Sequence, residues 1–281
     1  MKLTELRPDL WECEAIPTEY SAFKILRHKP INTDAHYVAA PWSVLINTER
    51  KFFKNKLNLT VQNGFTICQH ISYASVIPFM MNCGITTLFT PHALTSQDGI
   101  TILPFPHHAV NGTDPDLKTL LCSFIGCLTT HQVRRTIWRT KPDRSDVKMV
   151  KRQSWHYETT NQAKHQKEYK ITLARSRFSL CPRGTGASTI RFWESLQAGA
   201  IPILISDAMR LPKGCDWDRT IIRIPEAKAA SWLKNIEGIS PESERYMREN
   251  CLKAHRLFSG NNLVSNIRHH FGDTKNLLTT D

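Results

Sequence analysis

Apolar runs of strand length recur along the chain, separated by turn signals. Ala35–Ile46 (AHYVAAPWSVLI) predicts a strand that stops at Pro41-Trp42 and passes into a helix start. Gly64–Ile71 (GFTICQHI) predicts a second strand, and Ser72–Gly84 (SYASVIPFMMNCG) a short helix interrupted or kinked by Pro78 and ended by Gly84. Ile85–Ala93 (ITTLFTPHA), Gly99–Pro106 (GITILPFP) and Leu120–Thr130 (LLCSFIGCLTT) read as further strands. Strands with helices or loops between them are the signature of an α/β layer.

The pattern then changes. Residues 131–176 are rich in Lys, Arg, Gln and Thr, and their apolar positions are sparse. HQVRRTIW, from His131, fits a helix of a first domain, and KPDRSD a turn or linker. Beyond it the periodicity returns: a helix in EYKITLARS, a strand in RFSLC, a helix in STIRFWESLQA ended by Gly199, and strands in IPILIS and TIIRIP. KAASWLKNI, SPESERYMRENCLKAHRLF and NNLVSNIRHHF read as closing helices. This alternation predicts parallel strands with right-handed crossovers, as in a Rossmann-like domain. The expected division is residues 1–160, ending in a basic linker, and residues 161–281.

The 281 residues suffice for two compact domains, and a hydrophobic fraction of 41% predicts a globular chain. The formal charge is +12, and it is concentrated: Arg134–Arg177 holds 13 Lys or Arg against 4 Asp or Glu, a net of +9. Such a block attracts anions, whether nucleotide phosphates, acidic glycans, nucleic acid or an anionic membrane surface. The same charge also fits a merely solvated face. No window approaches the ~20 apolar residues of a membrane span. The opening MKLTELRPDLWECEA lacks a signal-like apolar run, and the 8 cysteines form no CxxC pair. A cytoplasmic protein with reduced thiols is therefore expected. The NLT at Asn58 and the NGT at Asn111 are then chance matches to a glycosylation pattern.

The most informative stretch is Arg177–Asp207, RFSLCPRGTGASTIRFWESLQAGAIPILISD. Gly184 and Gly186 allow close approach of backbone amides, and the following helix presents orphan N–H groups and a partial positive charge. Ser188 or Thr189 is placed to cap it. The geometry suits a diphosphate, with Arg183 adding a forked pair of donors. It is not the dinucleotide fingerprint, because Thr189 stands where the third glycine would be, and no GK[ST] follows. A tight turn without a ligand has the same short pattern. Along the helix, Ile190, Trp193 and Leu196 form an apolar stripe expected to face the sheet. Arg191, Glu194 and Ser195 fall on another face. If that face is solvated, Arg191 and Glu194 form an exposed ion pair; if it lines a cleft, Arg191 reaches a phosphate and Glu194 accepts ribose hydroxyls.

The stretch RFSLCPRGTGASTIRFWESLQAGAIPILISDAMRLP resembles the donor-domain signature of the exostosin-like glycosyltransferases, family 47. Fainter, collinear likeness extends through TDAHYVAAPW, TICQHI, GITILPFPHHAVNG and LLCSFIGCLTTHQVRRTI, with Gln69 where many members have Asp. The resemblance implies a GT-B fold, two Rossmann-like domains facing across a cleft. It implies an inverting, metal-independent transferase that moves a sugar from a nucleoside diphosphate sugar, usually a UDP-sugar, to a glycan or other hydroxyl acceptor. The family's donor residues carry over as Arg183, Gly184, Gly186, Ser188, Arg191 and Glu194. Eukaryotic members carry a membrane anchor and work in the Golgi lumen. The opening of this chain shows no anchor, which fits a cytoplasmic enzyme of polysaccharide biosynthesis.

Displacement at an anomeric carbon needs a base for the acceptor hydroxyl. Asp34, His70 and His92 are the candidates, each read as lying at the carboxyl end of a strand of the first domain. Each histidine equally fits a ring satisfied by a backbone carbonyl, and His107-His108 reads as a loop pair. No spacing among the 12 histidines matches a metal-ligand set, so neither metal nor cofactor is expected. Two alternatives stand beside the transferase. One is a nucleic-acid or polyanion binder that uses the basic block with Trp138, Trp155 and Tyr157 as stacking platforms. No nucleic-acid motif accompanies them. The other is a catalytically inactive relative that binds sugar nucleotides.

Overall fold

The computed structural model describes residues 1–11, 17–54, 57–153 and 162–273. Its strands form two five-stranded sheets, every pairing within them parallel. The chain divides into two compact units, as an α/β protein of this length should.

The first sheet takes its strands in chain order: β1 (Lys2–Glu5), β2 (His36–Ala39), β3 (Gly64–Ile67), β4 (Ile85–Thr90) and β5 (Thr101–Pro104). Both of its faces are covered. Val38 joins Trp42, Leu45, Met80 and Leu88 in one core. Its neighbours Tyr37 and Ala39 join Phe23, Leu26, Phe65 and Phe89 in another. Successive side chains of a strand point to opposite faces, so two cores are what a buried parallel strand requires. Helices α1 (Pro17–His28), α2 (Trp42–Thr48) and α3 (Ile77–Asn82) supply the covering layers. Pro78 lies in the first turn of α3, where its missing N–H costs nothing, so it starts that helix rather than kinking it. Gly84 is required at its end, with φ +79° and a Val61 carbonyl where a side chain would go.

The second sheet has the order β10-β9-β8-β6-β7: β6 (Leu120–Cys127), β7 (Val147–Arg152), β8 (Ser176–Pro182), β9 (Ile201–Ile205) and β10 (Ile222–Arg223). Counted from its own first strand this is 2-1-3-4-5, a doubly wound Rossmann-like order whose switch point lies between β6 and β8. Helices α4 (Gln132–Arg139), α5 (Gln162–Ala174), α6 (Ile190–Gln197), α7 (Lys234–Glu237) and α8 (Pro241–Leu257) belong with it, and α9 (Ser265–His270) follows.

The units are not those expected. The first comprises Met1–His108, Arg210–Gly214 and Leu257–Asp281; the second comprises Ala109–Met209 and Cys215–Arg256. A boundary near residue 160 falls outside the described residues. The chain changes unit earlier because β6 and β7 pair with β8 rather than with β5. HQVRRTIW is therefore α4 of the second unit. The segment NNLVSNIRHHF returns to the first, where Leu263, Val264 and Ile267 are fully buried beside Phe23 and Phe65. Strands β1 and β7 and helix α1 had no sequence expectation. The seven cysteines among the described residues are unpaired.

Candidate functional site

At the switch point the sheet opens. Pairing of β6 with β7 continues to Cys127 and that of β8 with β9 to Pro182, yet β6 and β8 pair only as far as Ser123 and Ser179. Beyond that, carbonyls of both strands need partners, and two arginines supply them. Arg191, on the first turn of α6, donates to Ile125 O and, at 3.5 Å, to Leu180 O. Arg134, on α4, donates through Nη1 to Cys127 O (3.1 Å), through Nη2 to Pro182 O (3.3 Å) and through Nε to Arg183 O (2.8 Å). Each guanidinium thus spans the split with the fork of donors that a lysine lacks. The Arg191 guanidinium also lies 4.6 Å over the Phe124 ring.

Glycines make room for them. A Cβ on Gly126 would lie 3.0 Å from Arg191 Nη2, and one on Gly184 would lie 3.3 Å from Arg134 Nη2 and 3.8 Å from Thr130 Oγ1. The site is strongly positive. Burial, and then the charge of Arg191, draws the Arg134 guanidinium down to about 10. Among the described residues, the buried Nε atoms of Arg183 and Arg191 and the hydroxyl of Thr130 find no hydrogen-bond partner, which native structures seldom tolerate without a ligand or solvent. A cationic opening at the carboxyl ends of parallel strands has the chemistry to accept an anion.

The loop 183–189 closes one side. Arg183 is partly exposed and its Nη1 lies 3.5 Å from Glu226. Gly184 and Gly186 lie in this loop, and Ser188 and Thr189 are buried at its end. Thr189 is the N-cap of α6, but its side chain makes no capping bond to the helix. The apolar stripe also differs from expectation. Trp193 and Leu196 are buried, whereas Ile190 is 37% exposed and Phe192 takes its place inside. Arg191 and Glu194 are both buried, so they are not a solvated ion pair.

Glu194 is engaged within the protein. One carboxylate oxygen accepts from Tyr169 Oη (2.5 Å) and the other from Asn111 N (3.1 Å). Burial raises its pKa. It ties α6 to α5 and to the segment before β6.

Sequence reasoning missed Arg134, Thr130, His131 and Glu226. His131 caps α4 by accepting from Val133 N (3.3 Å), and its Nε2 faces Glu226 at 3.9 Å. Burial and the Arg183 charge lower its pKa. The signal for Arg134 was present: its segment is part of the fainter collinear resemblance. Part of the basic block is paired within the protein. Arg144 pairs with Asp146 and Glu237, Lys148 and Arg152 with Glu168, Arg175 with Asp116, and Arg177 with Glu244. Trp155 and Tyr157 lie outside the described residues.

The candidate bases belong to the first unit. His70 follows β3 and His92 follows β4, at carboxyl ends as expected. His70 accepts from Ser72 N at Nδ1 and meets Asn47 Oδ1 at Nε2, both at 3.0 Å. His92 is buried against the His107 ring, 5.4 Å between centroids. Asp34 does not belong with them: it precedes β2 and lies at the amino end of the sheet, because its segment enters the strand rather than leaving it. The carboxyl end instead holds Glu19, fully buried, accepting from Ser43 N, Ser43 Oγ and Gln69 N. Gln69 Oε1 in turn accepts from Thr18 N (2.8 Å) at the start of α1. Burial pushes the Glu19 carboxyl up to about 7.

The Exostosin GT47 domain family model matches residues 67–238. An Exostosin-1 homolog of Caenorhabditis elegans is 35% identical over 86 residues, 30% of this chain and 22% of that protein. A "Probable glycosyltransferase" of Arabidopsis thaliana is 27% identical over 179 residues, 61% of this chain and 35% of that protein. The chain thus spans between about a fifth and about a third of the length of these two relatives. Among solved structures, a DNA-modifying β-glucosyltransferase, determined with and without its substrate uridine diphosphoglucose, gives a TM-score of 0.43 at 11% identity, covering 85% of this chain and 82% of that one.

Proposed function

The chain belongs to the Exostosin GT47 domain family, and on that footing we propose that it is an inverting glycosyltransferase whose second unit binds a nucleoside diphosphate sugar, with a UDP-sugar the first choice. The observation that carries this reading is the split between β6 and β8, filled by Arg134 and Arg191 and faced by Arg183 and the Gly184–Gly186 loop. Those side chains and the N-terminus of α6 would bind the diphosphate and stabilise the charge it gains as the sugar leaves. In the displacement, an acceptor hydroxyl oxygen attacks the anomeric carbon, the bond to the diphosphate breaks, and a base takes the hydroxyl proton. That base belongs to the acceptor side, with His70 and His92 the candidates that keep the right end of their sheet. The acceptor would be a glycan or another hydroxyl compound.

Arginines acting on the leaving group make the proposed reaction independent of a divalent metal. The test is a thermal-shift panel of nucleoside diphosphates and sugar nucleotides, run with and without EDTA. At 100 times the dissociation constant, binding adds about 2.7 kcal/mol of stability. Silence across the panel would sink the reading. A shift abolished by EDTA would remove its metal independence. The internal pairing of the basic block favours this function over polyanion binding.

A further inference from the structure

The outer face of α4 carries charge that the anion opening does not use. Val133 and Ile137, four residues apart, are buried, and Arg134 reaches inward to the carbonyls of Cys127, Pro182 and Arg183. Arg135, Trp138 and Arg139 are spaced by three and four, so they share the other face. Arg135 and Arg139 are exposed, and the Trp138 ring is half-buried between them. Lys141, exposed just past the helix, holds its Nζ 6.0 Å from the centre of that ring. The segment Glu226–Ser231 packs against α4 and adds an exposed Lys228, while its carboxylate, Glu226, is taken by Arg183 and Asp207 N.

These cations are not neutralised. His131 to Pro142 contains no Asp or Glu, and the exposed Asp143 is the first to follow. Asp146 and Glu237 are held by Arg144. Among the described residues, Arg135, Arg139, Lys141 and Lys228 have no carboxylate in ion-pair range. On α5, by contrast, Lys167 and Lys170 line a recess with Asp114 and Asp116, and Glu168 interrupts their row. We propose that the outer face of α4 docks the protein on an anionic lipid bilayer. Its cations meet the headgroups, and the amphipathic Trp138 ring enters the interface beside them. A polyanion chain asks for a charged track longer than the roughly 12 Å of this eight-residue helix, and for successive rings on which bases stack. Docking by this face brings the opening that Arg134 reaches to about a helix diameter (~10 Å) from the lipid.

Vesicle flotation tests this on the intact chain. Phosphatidylcholine vesicles should leave the protein behind, an equal mixture with phosphatidylglycerol should carry it up, and high salt should release it. Each surface cation contributes about fivefold to partitioning, so Arg135→Gln/Arg139→Gln should bind on the order of 25-fold more weakly. Trp138→Ala should weaken vesicle binding severalfold and leave retention on dextran sulfate unchanged. The melting temperature of each variant reports its folding, and the lipid and salt series needs no variant. A wild-type protein that ignores the mixed vesicles overturns the proposal, as does a double variant that floats like wild type. Dextran sulfate or a short oligonucleotide binding as tightly as the vesicles, with no effect of Trp138→Ala on flotation, identifies a polyanion surface and overturns the bilayer. A protein that docks on vesicles but binds no nucleotide keeps this proposal and loses the donor site.

Discussion

Arg134 and Arg191 share one opening and lean on the same ring, their guanidinium carbons 6.0 and 4.6 Å from the centre of Phe124. Burial, and then the like charge of Arg191 close by, lowers the pKa of Arg134. Main-chain carbonyls on both strands compensate in part. A doubly charged anion would compensate more fully, and this relationship frames the first expectation.

Arg191→Lys keeps the charge but cannot reach Ile125 O and Leu180 O together. One carbonyl loses its donor, and stability should fall by ~1–3 kcal/mol. Pyrophosphate and nucleotide affinity should fall in parallel, since the loss lies at the diphosphate. Urea unfolding and calorimetry on the same preparation measure both. Unchanged pyrophosphate affinity would remove Arg191 from the anion site.

Gly126→Ala tests the cradle without touching a charge. Its new methyl would lie 3.0 Å from Arg191 Nη2 and 3.7 Å from Arg134 Nη1, so the guanidinium must shift by a few tenths of an ångström. Because Gly126 does not hold a left-handed conformation, the backbone tolerates the change. Nucleotide binding should weaken severalfold while stability changes by less than ~1–2 kcal/mol. A drop in stability with intact binding would mean that the glycine serves packing alone.

Glu194 is expected to matter for stability and not for ligand recognition. Glu194→Gln and Tyr169→Phe should each cost ~1–3 kcal/mol, and the double variant less than their sum, because both remove the same buried hydrogen bond. Nucleotide affinity in the folded fraction should stay within about twofold of wild type (~0.4 kcal/mol). A selective loss of ribose-bearing ligands in Glu194→Gln would restore the role the sequence suggested.

Glu19 should leave a signature in pH. Its carboxyl titrates near pH 7 when folded and near 4.5 otherwise, so between those values the folded chain holds a proton that the unfolded chain has released. Stability then falls as pH rises from about 4.5 to about 7 and levels off above it, by an amount on the order of 3 kcal/mol. Glu19→Gln should lack that slope. The difference between the two proteins, followed by denaturant unfolding from pH 4.5 to 8, isolates Glu19 from the histidines. Parallel curves would refute the assignment.

What the sequence revealed and what it hid follow from the physics of each signal. The loop from Arg183 to Ser188 was legible because a strand, two glycines and a helix are adjacent along the chain. Arg134 and Glu226 reach the same opening from α4 and from beyond β10, so only the strand order joins them to it. The helical stripe misled for a different reason. Periodicity assigns an inner and an outer face, yet in α6 all six residues from Arg191 to Leu196 are buried. A helix covered on nearly every side has no polar face, and its charged residues must find internal partners. The domain boundary was misplaced because the basic composition of 131–176 resembles a linker, while β7 within it has inward-facing Val147 and Met149 at strand spacing.

The winding path of the chain makes its far end a structural part of its beginning. Leu263, Val264 and Ile267 fill the core of Phe23, Leu26 and Phe65, Arg268 pairs with Asp273 at 2.8 Å, and Asn32 N reaches the same aspartate. Each of those three aliphatic side chains contributes ~1.5–3 kcal/mol on burial, a large share of the ~5–15 kcal/mol that holds a typical protein folded. Cutting the chain after the last family-matched residue, Gly238, would therefore hollow out the opposite terminus. Any fragment meant to carry the first sheet alone has to bring this tail along as a separate, added peptide, and complementation by that peptide would be the natural assay of the wiring.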